Sequence, residues 1–373
     1  MIVERPALEQ RVLQALDAGR VPVLLGGCGT GRTSLLLRLA SIIGVGRSQY
    51  IDFATAATTP ERCLQAVVTA TSPDAAAKLP APADARRAFE AMLGFIDAAV
   101  APANGPVTFL FDEFLDIRTF ESFPGLRHVQ RDLIDRLAAS PNGFVLASRF
   151  TARAHRLLRD APARFEVIHV SPLTVDEVRS LAQQHNSSDP LTPSQLAAVV
   201  ALGGQRAAYA AILLDALFQA PASRRRPVDA LTATMSPGGP LAARCRESYE
   251  FRLHRARGYG ALKAILGILA EQEGITLTEI ARRLGRTPGS TKDYLSWLED
   301  VDLVTMQRKR YVFDDPLLRL HVRLYGGPTP PTPRQVAAET ATWAESCLPK
   351  DVPAPEPVLA GAPSDQSGII EID

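Results

Sequence analysis

The stretch Gly26-Gly27-Cys28-Gly29-Thr30-Gly31-Arg32-Thr33 restricts what this chain can fold into more than any other. It follows a short apolar run at Val21–Gly26 and leads into an apolar, helix-periodic segment near Thr33–Ile43. In that context the pattern G-x-x-x-x-G-basic-Ser/Thr reads as a phosphate-binding loop. Its glycines let successive backbone N–H groups curl around a phosphate, and the next helix turns its positive end towards it. Gly26, Gly27, Cys28, Gly29, Thr30, Gly31, Arg32, Thr33 and Ser34 are therefore expected to line a nucleotide site, with ATP and Mg²⁺ as cofactors and Thr33 as a metal ligand. The alternative is a glycine-rich turn without a ligand, and the rest of the sheet weighs against it.

Further apolar, β-branched runs at Gln49–Phe53, Val107–Asp112, Phe144–Ser148 and Phe165–Val170 alternate with helical patterns near Glu61–Ala70, Ala83–Val100 and Leu126–Ala139. Continuous apolar strands with helical crossovers predict an α/β fold, a parallel sheet covered on both faces. Ligands of such sheets sit beyond the carboxyl ends of the strands. The run ending at Asp112-Glu113 thus places Asp112 towards Mg²⁺ and Glu113 as the group that polarises an attacking water. The run ending at Arg149 supplies a cation that reaches the γ-phosphate, or else a strand-end arginine in solvent. Arg32 stands where such loops carry lysine. A forked guanidinium neutralises phosphate well but positions it differently from a compact ammonium, so binding is expected to survive the exchange better than turnover.

The periodicity divides the chain into a P-loop core (1–173), a helical lid (174–220), a helical connector (221–258), a winged helix (259–326) and a Pro/Ala-rich tail (327–373) expected to be disordered. In the winged helix, Ile280, Ala281 and Leu284 form the inner face of one helix and Gly285 ends it. Thr287-Pro288 then caps and starts a second helix, whose Leu295, Leu298 and Val301 face the core. Two short strands follow around Arg308-Lys309-Arg310. Together with Arg282, Arg283, Arg286 and Lys292 this tip suits a DNA backbone. Asp293, Ser290 and Ser296 on the exposed helix face offer nothing for a guanine edge, so DNA and protein both stay open as partners. The terminal run at 364–373, with Ile369, Ile370 and Ile372, is either a frayed end or a peptide for a protein partner or self-association.

These motifs resemble the STAND and origin-recognition-like branches of the AAA+ ATPases, most closely an ATPase family found mainly in archaea. The resemblance spans about Met1 to Leu324. It implies that Ile2–Gln10, with Glu4-Arg5 in place of the family's Gly-Arg, packs near the adenine. It also implies a lid turn of the type Gly-Gly-x-Pro, where this chain has Gly203-Gly204-Gln205-Arg206.

A net charge of +1 gives no global attraction to nucleic acid or membrane, and no uncharged apolar run approaches a membrane span. The cysteines are widely scattered, as reduced thiols of a cytoplasmic protein would be. Three functions fit: an ATP-dependent switch with slow hydrolysis, a DNA-binding protein with a structural nucleotide site, or a scaffold that recruits a partner through its tail.

Overall fold

A computed structural model describes residues 3–71, 82–101, 105–185, 189–254 and 258–349. Helix α1 (Pro6–Asp17) leads into β1 (Val21–Leu25) and α2 (Arg32–Ile43), then β2 (Ser48–Asp52), α3 (Phe53–Ala56), α4 (Pro60–Thr71) and α5 (Ala85–Ala98). Strand β3 (Thr108–Asp112), a 3₁₀ stretch at Phe114–Ser122, α6 (Val129–Ala139), β4 (Gly143–Ser148), α7 (Thr151–Leu158) and β5 (Phe165–His169) complete the core. The strands are all parallel and lie in the order β2-β3-β4-β1-β5. Because side chains alternate along a strand, Leu24, Leu110 and Val145 face α1 and α2. Val23, Phe109, Phe111 and Phe144 face the opposite layer with α4 and α5. Both faces being dry is why these strands read as unbroken apolar runs. Strand β1 lies inside the sheet between β4 and β5, and the loop after it opens at their carboxyl edge.

The lid comprises α8 (Val175–Gln183), α9 (Pro193–Leu202) and α10 (Ala207–Gln219). Thr174 with Glu177 and Thr192 with Gln195 form capping boxes that start the first two. Helices α11 (Pro227–Met235) and α12 (Pro240–His254) continue the chain, and α11 packs on α9 and α10. The winged helix follows as α13 (Tyr259–Glu271), α14 (Leu277–Leu284), α15 (Pro288–Asp300), β6 (Val304–Gln307), β7 (Arg310–Phe313) and α16 (Pro316–Tyr325). Gly285 ends α14 in the left-handed region, and Thr287 accepts a bond from the Ser290 N–H to start α15 behind Pro288. Leu295, Leu298 and Val301 are fully buried.

The tail departs from expectation at its beginning. Residues Pro333–Cys347 form α17, capped by Thr332 with Gln335 and packed on α9, α11 and α16. Its buried side chains are small, Val336, Thr340 and Ala344, so the apolar signal is faint, but they let the helix approach closely. The Thr340 hydroxyl lies 2.7 Å from that of Thr232, and the Trp343 indole donates to the Leu202 carbonyl. Residues 350–373, with the proposed peptide at 364–373, and Met1-Ile2 lie outside the described residues. Among the described residues no helix is long and apolar enough to cross a membrane.

Candidate nucleotide site

The loop after β1 folds as its glycines require. Gly31 sits at φ 95° as the N-cap of α2, in the left-handed region that favours glycine. At Gly27 a Cβ would meet the Arg206 guanidinium at 2.4 Å, so a side chain there would displace the arginine from this position. Arg206 opens α10 and donates to the Cys28 carbonyl at 2.7 Å, while the Ala208 N–H donates to the Gly29 carbonyl. The lid is thus bonded to the loop itself. On the other side of the lid, buried Arg5 bonds Ser171, the Pro172 carbonyl and Glu177 of α8. Arg5 thereby ties the N-terminal segment to the lid.

The residues expected to form the site converge. Thr33 at the start of α2 donates to Asp112 Oδ2 at 2.6 Å, and Tyr50 from β2 reaches the same oxygen at 3.1 Å. Burial, and then the Glu113 charge, push the Asp112 carboxyl up, which primes it for a cation. A hydroxyl and a carboxylate oxygen side by side are the hard donors that suit Mg²⁺. Glu113 stands at φ 51°, a strained setting for a side-chain-bearing residue, and points into the cluster. One of its oxygens accepts from Arg32 Nη2 at 2.7 Å, and the other meets the Arg149 N–H and Nε, each at 3.0 Å. Burial pushes the Glu113 carboxyl up, but Arg32 and Arg149 more than offset it and hold it below the usual range. Arg149 is not in solvent: its guanidinium lies 4.5 Å from the Phe251 ring of α12. Ser34 occupies the first turn of α2, half-buried.

Arg32 does not reach outward. Its Nη1 bonds the Gly27 carbonyl at 2.7 Å and its Nη2 is the one that holds Glu113. The P-loop cation is therefore spent on the acid expected to polarise water.

Several residues that shape the site were not legible in the sequence. Asp314 and Asp315, at the end of the wing, meet Arg206, and fully buried Asp315 also accepts from the Tyr209 hydroxyl at 2.7 Å. Asp302 accepts from the Thr151 and Ala152 N–H groups at the start of α7, and its carbonyl accepts from buried Arg252 of α12 at 2.6 Å. Arg156 of α7 pairs with Asp300 at 2.7 Å. The winged helix thus rests on Arg206 and on the start of α7 through its carboxylates. Between them and the loop lies a cavity of about 410 Å³ lined by Gly26, Thr30, His169, Arg206, Asp302 and Asp314, among others. Only tertiary contact brings these groups together, although the unusual Arg206 in the lid turn is a signal that points to them.

The winged-helix face away from the core is also defined. Arg282 and Arg283 are both paired with Glu279, and Arg286 lies over the Tyr294 ring. Lys292, Arg308 and Lys309 are exposed. Gln307 pairs with Arg310, so Arg308-Lys309 form a two-residue hairpin turn, at φ 50° and 66°.

Residues 261–305 match the family described as winged helix-turn-helix DNA-binding. No curated protein matches the chain. Among solved structures, a Walker-type ATPase of Pyrococcus abyssi is 15% identical over 86% of this chain and 96% of its own, with a TM-score of 0.64. The Aeropyrum pernix ORC1 protein, solved in complex with DNA, is 15% identical over 93% and 95%, at 0.46. The Thermotoga maritima RuvB Holliday junction branch migration motor is 12% identical over 83% and 92%, at 0.42. The Pyrococcus likeness runs through both parts and gives the fold: a P-loop ATPase sheet with a helical lid, then a winged helix.

Proposed function

We propose that this protein is an ATP-binding switch that hydrolyses its nucleotide slowly and passes the state of the P-loop to the winged helix. The observation that carries the reading is Arg206, which bonds the Cys28 carbonyl in the loop and the Asp314 and Asp315 carboxylates in the wing. A phosphate seated on the loop draws on the same guanidinium, so binding strains or releases the wing. In this reading Gly26 to Ser34 surround the phosphates, and Thr33 and Asp112 hold Mg²⁺, which neutralises phosphate charge when bound. Glu113 orients the water, and Arg149 meets the γ-phosphate. Slow turnover follows from Glu113, both of whose oxygens are committed to arginines.

ATP with Mg²⁺ is expected to raise the melting temperature, since a ligand bound only by the folded state adds about 3–4 kcal/mol at 100 to 1,000 times its dissociation constant. Thr33→Ala and Asp112→Ala should each remove the metal-dependent part of the shift. An unchanged melting curve of the parent protein in millimolar ATP-Mg²⁺ sinks the assignment.

For the winged helix the reading favours DNA, on one observation. A two-residue hairpin turn of this kind is relaxed as Asn-Gly, yet an arginine and a lysine bear the strain at this tip. Exchanging Arg308→Asn with Lys309→Gly should leave stability equal or higher. It should also reduce the dependence of duplex-DNA affinity on salt by about two phosphate contacts, roughly 0.9 in slope for each. Duplex affinity and slope that do not change with this pair would point to a protein partner.

A further inference from the structure

A second cavity, of about 710 Å³, lies between α12, α13, α16 and α17, and none of its lining residues belongs to the nucleotide site. Pockets for small molecules typically measure about 300–1,000 Å³. Its inner wall is a row of rings. Tyr249 and His321 are 6% and 5% exposed, with centroids 5.9 Å apart, and half-buried Tyr325 stacks on His321 at 5.0 Å. The Tyr325 hydroxyl is used by the Met235 carbonyl, but His321 Nδ1 is buried with no hydrogen-bond partner among the described residues. A buried polar atom left unmet is costly. Burial lowers the His321 imidazole to about 4, so at neutral pH it adds no charge.

The charges around the rings do not all cancel. Lys263 meets Glu250 at 3.3 Å, and Arg323 takes both oxygens of Glu339 at 2.6 and 2.8 Å. Arg246 of α12 and Glu271 of α13 are left over on the same cavity. Both are exposed, and neither has a hydrogen bond or ion pair among the described residues. The contacts His254–Tyr259 and Glu250–Lys263 step in opposite directions along α12 and α13, so the two helices run antiparallel. In that register Arg246 comes level with Gly267, and Glu271 lies one helical turn, about 5 Å, farther along. Gly267 stands in mid-helix, where glycine is unfavourable, yet a Cβ there would meet no atom within 4 Å. The packing of the chain does not require glycine at this point. What glycine does is keep the space beside Arg246 and Glu271 open.

We propose that this cavity binds a free amino acid with a flat aromatic side chain, its ring against Tyr249, His321 and Tyr325, its carboxylate on Arg246 and its ammonium on Glu271. The two unpaired charges stand exposed at the mouth and the rings lie buried within, which matches a ligand with a zwitterionic head and a ring tail. A plain acid would leave Glu271 beside its own charge, a plain amine would do the same to Arg246, and an uncharged ring would use neither. The Arg246 fork suits a carboxylate, and the row of rings suits offset or edge contact with another ring. Because α12, the winged helix and α17 all supply walls, the ligand braces the winged helix against its neighbours. The site uses no P-loop residue, so it stands apart from the nucleotide reading.

The test is titration calorimetry of the full chain, without nucleotide, against L-tryptophan, L-tyrosine and L-phenylalanine. At least one is expected to bind and to raise the melting temperature, as any ligand of the folded state does. If tryptophan is the ligand, indole-3-propionate, tryptamine and glycine each lack one of its three groups. Each should bind at least about tenfold more weakly, the factor typical of one lost charge-assisted bond or ring contact. The corresponding acid and amine serve for tyrosine or phenylalanine. Arg246→Ala and Glu271→Ala, at exposed positions that leave the fold intact, should weaken binding by a similar factor. Gly267→Leu fills the cavity without a clash and favours the helix, so it should abolish binding while the melting temperature of the free protein stays equal or rises. No binding of any of the three amino acids at millimolar concentration overturns the proposal. So does binding that Gly267→Leu leaves unchanged, which would place the ligand elsewhere. An acid or amine analogue that binds as tightly as the amino acid overturns the zwitterionic class.

Discussion

Asp315→Ala is expected to cost about 3–5 kcal/mol of stability, the loss typical when one partner of a buried ion pair is removed. Asp315 is fully buried and serves three groups at once. It faces Arg206 Nε at 3.4 Å, accepts from the Tyr209 hydroxyl, and caps α16 by accepting from the Leu317 N–H. Without the carboxylate, a guanidinium and a phenol from the lid remain buried and unmet, and the helix that closes the winged domain loses its cap. Asp315→Asn keeps the cap and the acceptor for Tyr209 but not the charge, so it should fall between the two. Asp314→Ala, at a more exposed carboxylate, should cost far less. Thermal and urea melts of the three variants give this ranking. An alanine at 315 that costs no more than one at 314 would remove the wing from the coupling path, because Arg206 would then have no essential partner there. The same variant should also lose whatever response of the winged helix to nucleotide the parent shows, read as protease sensitivity between α12 and α13 with and without ATP-Mg²⁺.

Arg32→Lys is expected to raise ATP turnover by about tenfold or more, a part of the roughly 10²–10⁴-fold that a positioned general base contributes, while binding changes little. The guanidinium spans two acceptors, the Gly27 carbonyl and Glu113 Oε1, each at 2.7 Å. A single ammonium does not span both, and one following the phosphate leaves Glu113 paired only with Arg149. The acid then regains an oxygen for water. Glu113→Gln in both backgrounds should abolish the gain, which ties it to that carboxylate and not to a better-seated phosphate. Steady-state hydrolysis beside equilibrium binding separates the two effects. If turnover falls when lysine is restored, Glu113 needs Arg32 for its placement and the steric account is wrong.

Much of this architecture is local and was therefore legible in the chain. The P-loop, the strand ending at Asp112-Glu113, and the two helices about Gly285 each depend on residues within a few positions of one another. Glycine torsions, capping side chains and apolar period act over that range. Helix α17 was legible in part. Thr332 with Gln335 is a readable start, but Val336, Thr340 and Ala344 bury too little apolar surface to stand out in a Pro/Ala-rich stretch. Tertiary structure alone decided how the charges of the site are spent. That Arg32 turns to Glu113, that Arg206 joins the Cys28 carbonyl to Asp315, and that buried Arg252 reaches the Asp302 carbonyl depends on groups tens to hundreds of residues apart. A charged side chain carries no periodic mark of its partner. Its pairing is set by which carboxylate or carbonyl the packed helices bring within reach once water is excluded, as Arg206 between the P-loop and the wing shows.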